Sequence, residues 1–363
     1  MRSVLLQVHR WLGIALAIWV IAIALSGAIL IFRPELQKLT YPQFFHVTRD
    51  GSADASPGAL LAALRATYPR GAISGIDWPT YRRDTVLSYV LDAKTFRTVF
   101  LHPQTAAIIG EMPEHSWITR LQDFHFDLLS GPTGRTVNGV AALCLVGMLA
   151  TGSVIWWPAA GRWRQSLTID ISRPWKRINW QAHNAVGAWL FAILLLWAVT
   201  GVEFAFPRRF RAAVNAISPL TTRSAPRSDQ TRKRDEQVPA PDALVAAARE
   251  QVPGGILARL VLPTSASAAT LVLMAKRIHG DYDTSDEVYL FFDQYTGRLL
   301  ERRDQDDVKR TAGDVVMATL GPLHLGTFGS GGVVSTTVRA LWVVFALGFP
   351  LLAVSGSMMW WNK

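Results

Sequence analysis

Of the eight histidines in this chain, four stand where chemistry can be built. His9 opens the hydrophobic run "VHRWLGIALAIWVIAIALSGAILIF", and His183 opens another, "AHNAVGAWLFAILLLWAVTGVEFAF". His125 ("LQDFHFDLLSG") and His324 ("LGPLHLGTFGSG") each precede a further hydrophobic run. Two imidazoles brought together from two helices can hold a planar metal macrocycle from above and below. A haem iron with both axial positions filled in this way suits electron transfer rather than ligand binding. Zinc fits less well, because a closed zinc site wants four nitrogen, sulfur or carboxylate ligands. The single cysteine, Cys144, lies inside a hydrophobic run and permits neither a disulfide framework nor a cysteine-based metal site. His46, His102, His115 and His279 share no spacing.

The elements that carry these residues are set by hydropathy. Half of the 363 residues are hydrophobic, 14 of them Trp. Four runs of 21 to 23 residues hold no Asp, Glu, Lys or Arg: Trp11–Phe32, Val137–Trp157, Trp180–Val202 and Ala340–Asn362. A helix needs ~20 residues to cross a hydrocarbon core of ~30 Å. Uninterrupted runs of this length are helices rather than barrel strands. The first lacks a small-residue cleavage site before "RPEL" and reads as a retained anchor. Arg162, Arg164, Arg173, Lys176 and Arg177 crowd the loop between the second and third spans, so this loop and both termini are expected in the cytoplasm. Segments 33–136 and 203–339 then lie outside. Nucleic acid is a poor explanation for the net charge of +10, because the compartment is wrong. The basic, apolar-poor stretch from Thr221 reads as a mobile linker.

The chain is written twice. His9 aligns on His183, Gly13 on Gly187, Ser26-Gly27 on Thr200-Gly201 and Phe32 on Phe206, all at an offset of 174. "PGALLAALRATYPRGAISGIDWP" from Pro57 lies over "PDALVAAAREQVPGGILARLVLP" from Pro241 at an offset of 184. Each outer copy reads as an amphipathic helix followed by strand-like runs, "TVLSYVLD" and "TVFLHPQTAAIIGE" in one, "ATLVLMAK" and "VYLFFDQYTGRLLE" in the other. The expected fold is a membrane protein of four transmembrane α-helices in two repeats of span, outer module and span, with two small α+β outer modules. The division is 1–33, first span; 34–120, first module; 121–158, outer histidine segment and second span; 159–179, cytoplasmic loop; 180–206, third span; 207–318, linker and second module; 319–363, outer histidine segment and fourth span.

The histidines thus form two pairs related by the repeat, one near each membrane face. Depth argues for pairing His9 with His183 and His125 with His324, with ligands crossing between faces as the other arrangement. Gly27 and Gly201 lie 18 residues beyond His9 and His183, or five turns and ~27 Å of rise, and share their helix faces. Thr151-Gly152 and Ser355-Gly356 lie at the opposite depth on the other two spans. Each helix pair is expected to be thinned where the opposite pair would hold a haem, although small residues also simply let membrane helices pack closely. Arg135 and Arg339 head the second and fourth spans and are candidates to pair with haem propionates or an acidic ligand, or to snorkel. Glu203, after the third span, is either an interface carboxylate or a guide for a proton or iron.

"VHRWLGIALAIWVIAIALSG", "H…LLSGPTGR", "TGSVIWWP" and the two outer modules resemble the PepSY-associated transmembrane proteins over nearly the whole chain. Within that family the chain is most similar to inner-membrane ferric-siderophore reductases of the FoxB type. The resemblance implies PepSY-like periplasmic modules, two haems b held by His9, His183, His125 and His324, and one-electron reduction of a periplasmic ferric-siderophore. It implies a cytoplasmic or quinol electron donor and a setting in membrane lipid, the bacterial inner membrane. One departure is "LGTFGSGGVVSTTVR" after His324, which lacks a close copy of LLSGPTGR. The other expectation is a non-redox protein whose modules bind or inhibit a periplasmic protein partner, with the spans as anchors.

Overall fold

The computed structural model describes residues 2–79, 83–158, 161–221, 223–229, 239–276, 286–305, 310–327 and 332–362. His279 and half of the expected linker from Thr221 lie outside these residues. In chain order the elements are α1 (Arg2–Leu30), α2 (Arg33–Thr40), α3 (Pro57–Thr67), β1 (Ala72–Asp77), β2 (Val86–Asp92), β3 (Thr95–Leu101), β4 (Ile108–Glu111), α4 (Trp117–Asp127), α5 (Gly131–Trp156), α6 (Trp163–Ser166) and α7 (Trp175–Ala205). There follow α8 (Pro207–Ile217), α9 (Pro241–Gln251), β5 (Ile256–Val261), β6 (Thr270–Ala275), β7 (Glu287–Phe292), β8 (Leu299–Asp304), α10 (Ala312–Leu325), α11 (Gly332–Ala346) and α12 (Gly348–Trp361).

Two units result. The helical unit comprises Met1–Arg33, Trp117–Leu220 and Arg310–Lys363, and the sheet unit Pro34–Ser116 and Thr221–Lys309. Residues 117–120, 207–220 and 310–318, expected with the outer modules, therefore belong with the helices. The reason is local packing. The Gly313 N–H at the start of α10 donates to Ser218 Oγ (2.9 Å), just past α8, and a Cβ on Gly313 would sit 2.6 Å from the Ser218 carbonyl.

Among the described residues, four helices are long and apolar enough to cross a membrane: α1, α5, α7 and the combined α11–α12, Val334–Trp361. The last is interrupted at Leu347 because Pro350 has no N–H for the ladder. Leu347 keeps helical angles (φ −65°, ψ −15°) and its N–H still reaches the Val343 carbonyl (3.2 Å), so the two pieces act as one span. α1 packs on α5 and α12, and α7 packs on the same two. α1 and α7 thus stand across the diagonal of the bundle. Its middle is filled by Val20, Leu145, Leu194, Ala198 and Phe349, with every spanning helix contributing. Close approach at the α7–α12 contact depends on Gly348, where a Cβ would meet Leu190 at 2.2 Å. α4 packs against α1 and α5, and α10 against α7 and α8.

The sheet unit contains one eight-stranded antiparallel sheet in the order β4-β3-β2-β1-β5-β6-β7-β8. The two helix-and-four-strand segments expected as small modules are thus joined edge to edge through β1 and β5 (Gly75↔Val261, Ile76↔Leu260, Asp77↔Arg259). Gly75 makes the seam possible, since a Cβ there would lie 2.3 Å from the Leu260 carbonyl oxygen. Arg259 adds a two-pronged ion pair to Asp77 across it (2.6 Å each). Period-two alternation puts Ile76, Val90, Val99, Leu260, Val272 and Leu290 into the core under α3 and α9. α3 starts where its composition dictates, with Pro57 in the first turn and the Ser56 hydroxyl accepting the Ala59 N–H at 3.2 Å.

Candidate functional site

His9, on α1, and His183, on α7, face each other across the bundle diagonal with ring centres 6.4 Å apart and planes at 85°. Their Nδ1 atoms are engaged by the other two spans. His9 Nδ1 lies 3.0 Å from the Met148 carbonyl and 3.4 Å from Thr151 Oγ1, both on α5. His183 Nδ1 lies 2.9 Å from Ser355 Oγ on α12.

His125 and His324 form a second pair, 6.5 Å between ring centres with planes at 64°. Here the imidazoles come from the short helices α4 and α10, and the long helices supply the hydroxyls. Ser26 Oγ on α1 is 3.0 Å from His125 Nδ1, and Thr200 Oγ1 on α7 is 2.6 Å from His324 Nδ1. The backbone behind each ring is also tied. Asn138 donates to the His125 carbonyl (2.8 Å) while accepting the Trp19 indole N–H (2.8 Å), and the Trp197 indole donates to the His324 carbonyl (2.9 Å). α4 turns into α5 through left-handed residues, Leu128 (φ 54°), Leu129 (φ 59°) and Gly131 (φ 56°). This turn is so tight that a Cβ on Gly134 would lie 1.7 Å from the Asp127 carbonyl oxygen, which accounts for the Gly-rich "LLSGPTGR". Burial pushes the His125 imidazole down to about 4 and that of His324 down to about 3, so both rings are neutral and carry a free nitrogen lone pair.

Each separation lies in the ordinary range of edge-on ring contacts and is also wide enough for one metal ion bonded to both imidazoles at ~2.0 Å. Among the described residues no group of three or more His, Cys, Asp or Glu comes together, so each site offers two protein donors. A haem iron at either pair would take two imidazole donors from the chain and its remaining donors from the macrocycle.

Three of the expected small residues lie level with the opposite histidine pair and meet its rings. A Cβ on Gly27 would lie 2.8 Å from Cε1 of His125, one on Gly152 2.9 Å from Cε1 of His9, and one on Gly356 3.1 Å from Cε1 of His183. These glycines seat the imidazoles themselves. Gly201 is the exception: its nearest neighbour is the Ala142 methyl on α5, at 3.3 Å, and it serves helix packing. Gly13 and Gly187 make only ordinary contacts, at 3.6 Å, with Met148 and Leu352.

The two arginines also part company. Arg339 is buried, at 4% exposure. Its guanidinium lies over the Phe32 ring (4.9 Å) and Nη1 donates to the Ile31 carbonyl (3.4 Å). Arg135 lines an open cleft of about 330 Å³ with Asp127, Gly131, Pro132, Thr136 and Ala205. Glu203 is half-buried beside Phe204, whose ring meets His324 edge-on at 5.1 Å. The hydroxyls of Ser26, Thr151, Thr200 and Ser355 register in the sequence only as small residues. Their signal is a hydroxyl directly before glycine, found once at each of the four ring seats.

A bundle of four membrane-spanning helices enclosing two histidine pairs, joined to an antiparallel sheet with two covering helices, defines a class of integral membrane protein with a large extramembrane unit. The chain belongs to the PepSY-associated TM region family, which matches residues 6–363. Among curated proteins none matches it.

Proposed function

We propose that the protein is a di-haem transmembrane electron-transfer protein that reduces a periplasmic ferric-siderophore to release Fe(II). The observation that supports this reading is the pairing of the four histidines, ring centres 6.4 Å and 6.5 Å apart, which would give each of two haems two imidazole donors from the chain. His9 and His183 would hold one haem b, and His125 and His324 the other. Haem at these positions supplies reversible one-electron transfer between a cytoplasmic or quinol donor and the ferric chelate, whose hard donors grip Fe(III) more tightly than Fe(II). The chain's residues do the rest. They orient the four rings through their Nδ1 partners, and the apolar plug of Val20, Leu145, Leu194, Ala198 and Phe349 separates the two sites. Arg135, in its open cleft, is placed to attract an anionic chelate.

The basic loop from Arg162 to Arg177 supports an inner-membrane protein with cytoplasmic termini and the sheet unit in the periplasm. The recurring order of one helix and four strands, α3 with β1–β4 and α9 with β5–β8, supports two duplicated PepSY-type modules. The test is a pyridine haemochrome assay on the purified full-length chain together with reduction of a ferric hydroxamate or catecholate chelate. Two b-type haems per chain and chelate reduction are expected. Absence of a haem band overturns the reading and leaves the membrane-anchored partner-binding protein.

A further inference from the structure

We propose that Ser26, Thr151, Thr200 and Ser355 are positioning residues that fix the tautomer of the four imidazoles and set the two sites' reduction potentials, with Thr200 dominant; this rests on the haem reading above. Each hydroxyl has only one proton. Ser26 donates it to the Ile23 carbonyl (3.0 Å), Thr151 to Met148 (2.9 Å), Thr200 to Leu196 (2.8 Å) and Ser355 to Leu352 (3.2 Å), all on their own helices. What remains toward the imidazole is a lone pair. For His9 the Met148 carbonyl can only accept, so Nδ1 is the donor; with the other hydroxyl protons on their helix carbonyls, Nδ1 of the remaining rings is the donor too, which leaves each Nε2 lone pair for a metal. A histidine ligand that donates its second N–H is oriented and made more basic, and a more basic axial ligand favours the ferric state.

The four hydroxyls are unequal in what backs them up. His9 Nδ1 has the Met148 carbonyl at 3.0 Å, closer than the Thr151 hydroxyl at 3.4 Å. His125 and His183 meet Ser26 and Ser355 at 3.0 Å and 2.9 Å. For His324 the described residues provide Thr200 alone, at the shortest distance of the set, 2.6 Å. Removing Thr200 should therefore leave Nδ1–H of His324 without an acceptor in a partly buried place, whereas removing Thr151 leaves His9 donating to the main chain.

The experiment uses the purified full-length chain with its haems, comparing Thr200→Val, Thr200→Ser and Thr151→Val with the parent. Reduction potentials are read by spectroelectrochemistry and the ligand field by low-temperature EPR of the ferric protein. Thr200→Val should raise one potential, alter one low-spin signal and leave the other site unchanged, or lose that haem alone. Thr200→Ser should restore the parent values, and Thr151→Val should give the smallest change. Equal shifts in Thr200→Val and Thr151→Val, or none with both haems retained, overturn the inference while the haem reading stands. A parent chain with no haem overturns both.

Discussion

The two histidine pairs have nearly the same ring separation but are built in opposite ways. His9 and His183 sit in the long helices α1 and α7, whose positions are set by the bilayer and by packing on α5 and α12. His125 and His324 sit on the short helices α4 and α10, which have no bilayer span to hold them. Their precision comes from side chains instead: Asn138, itself held by the Trp19 indole, and Trp197 bind the backbone behind the rings, and the left-handed turn at Leu128 and Leu129 brings α4 back onto α5. The same two long helices serve both sites, since α1 carries His9 and Ser26 while α7 carries His183 and Thr200. A ligand within a span is placed by the helix axis, and one on a short appended helix needs its own hydrogen-bonded frame.

The comparison breaks or sharpens under substitution. The largest effect is expected from the histidines. Alanine at His9, His183, His125 or His324 should lower the haem stoichiometry from two to one and abolish chelate reduction, while His102→Ala changes neither. A stoichiometry unaffected at one pair would end the symmetry between the sites. Next is Gly27→Ala, whose new methyl meets the His125 ring at 2.8 Å and should cost roughly 1–3 kcal/mol with a change in one haem's spectrum. Gly201→Ala, against Ala142 at 3.3 Å, should disturb packing without a spectral change. Absorption and EPR spectra alongside thermal unfolding in detergent separate the two.

Asn138→Leu comes third. It removes the ties to the His125 carbonyl and to Trp19 and should cost roughly 1 kcal/mol, lowering occupancy of the His125–His324 site only. Thermal unfolding and haem content of the variant would show this, and equal loss from both sites would contradict a local frame. The smallest effect is expected from Leu129→Gly. Leu129 is exposed with φ 59°, so glycine should relieve left-handed strain and raise stability by roughly 0.5 kcal/mol net of backbone entropy, seen as a slight rise in melting temperature.

Length, charge and periodicity determined much by themselves. Four charge-free runs long enough for a bilayer had to become spans, and the 174-residue offset put His9 and His183, and Ser26-Gly27 and Thr200-Gly201, at matching positions on two of them. Alternating apolar residues likewise marked β2 and β6 before their partners were known. What only the tertiary structure decided is which faces meet. Helical spacing says that Gly27 shares a face with His9, but the diagonal placement of α1 and α7 makes Gly27 the seat of His125 and leaves Gly201 against Ala142. Likewise, equivalent places in the sequence could not show that Arg339 would be buried over Phe32 while Arg135 opens into a cleft, or that β1 and β5 would close two segments into one sheet. Periodicity is a property of one element, whereas neighbours are chosen by the fit between elements.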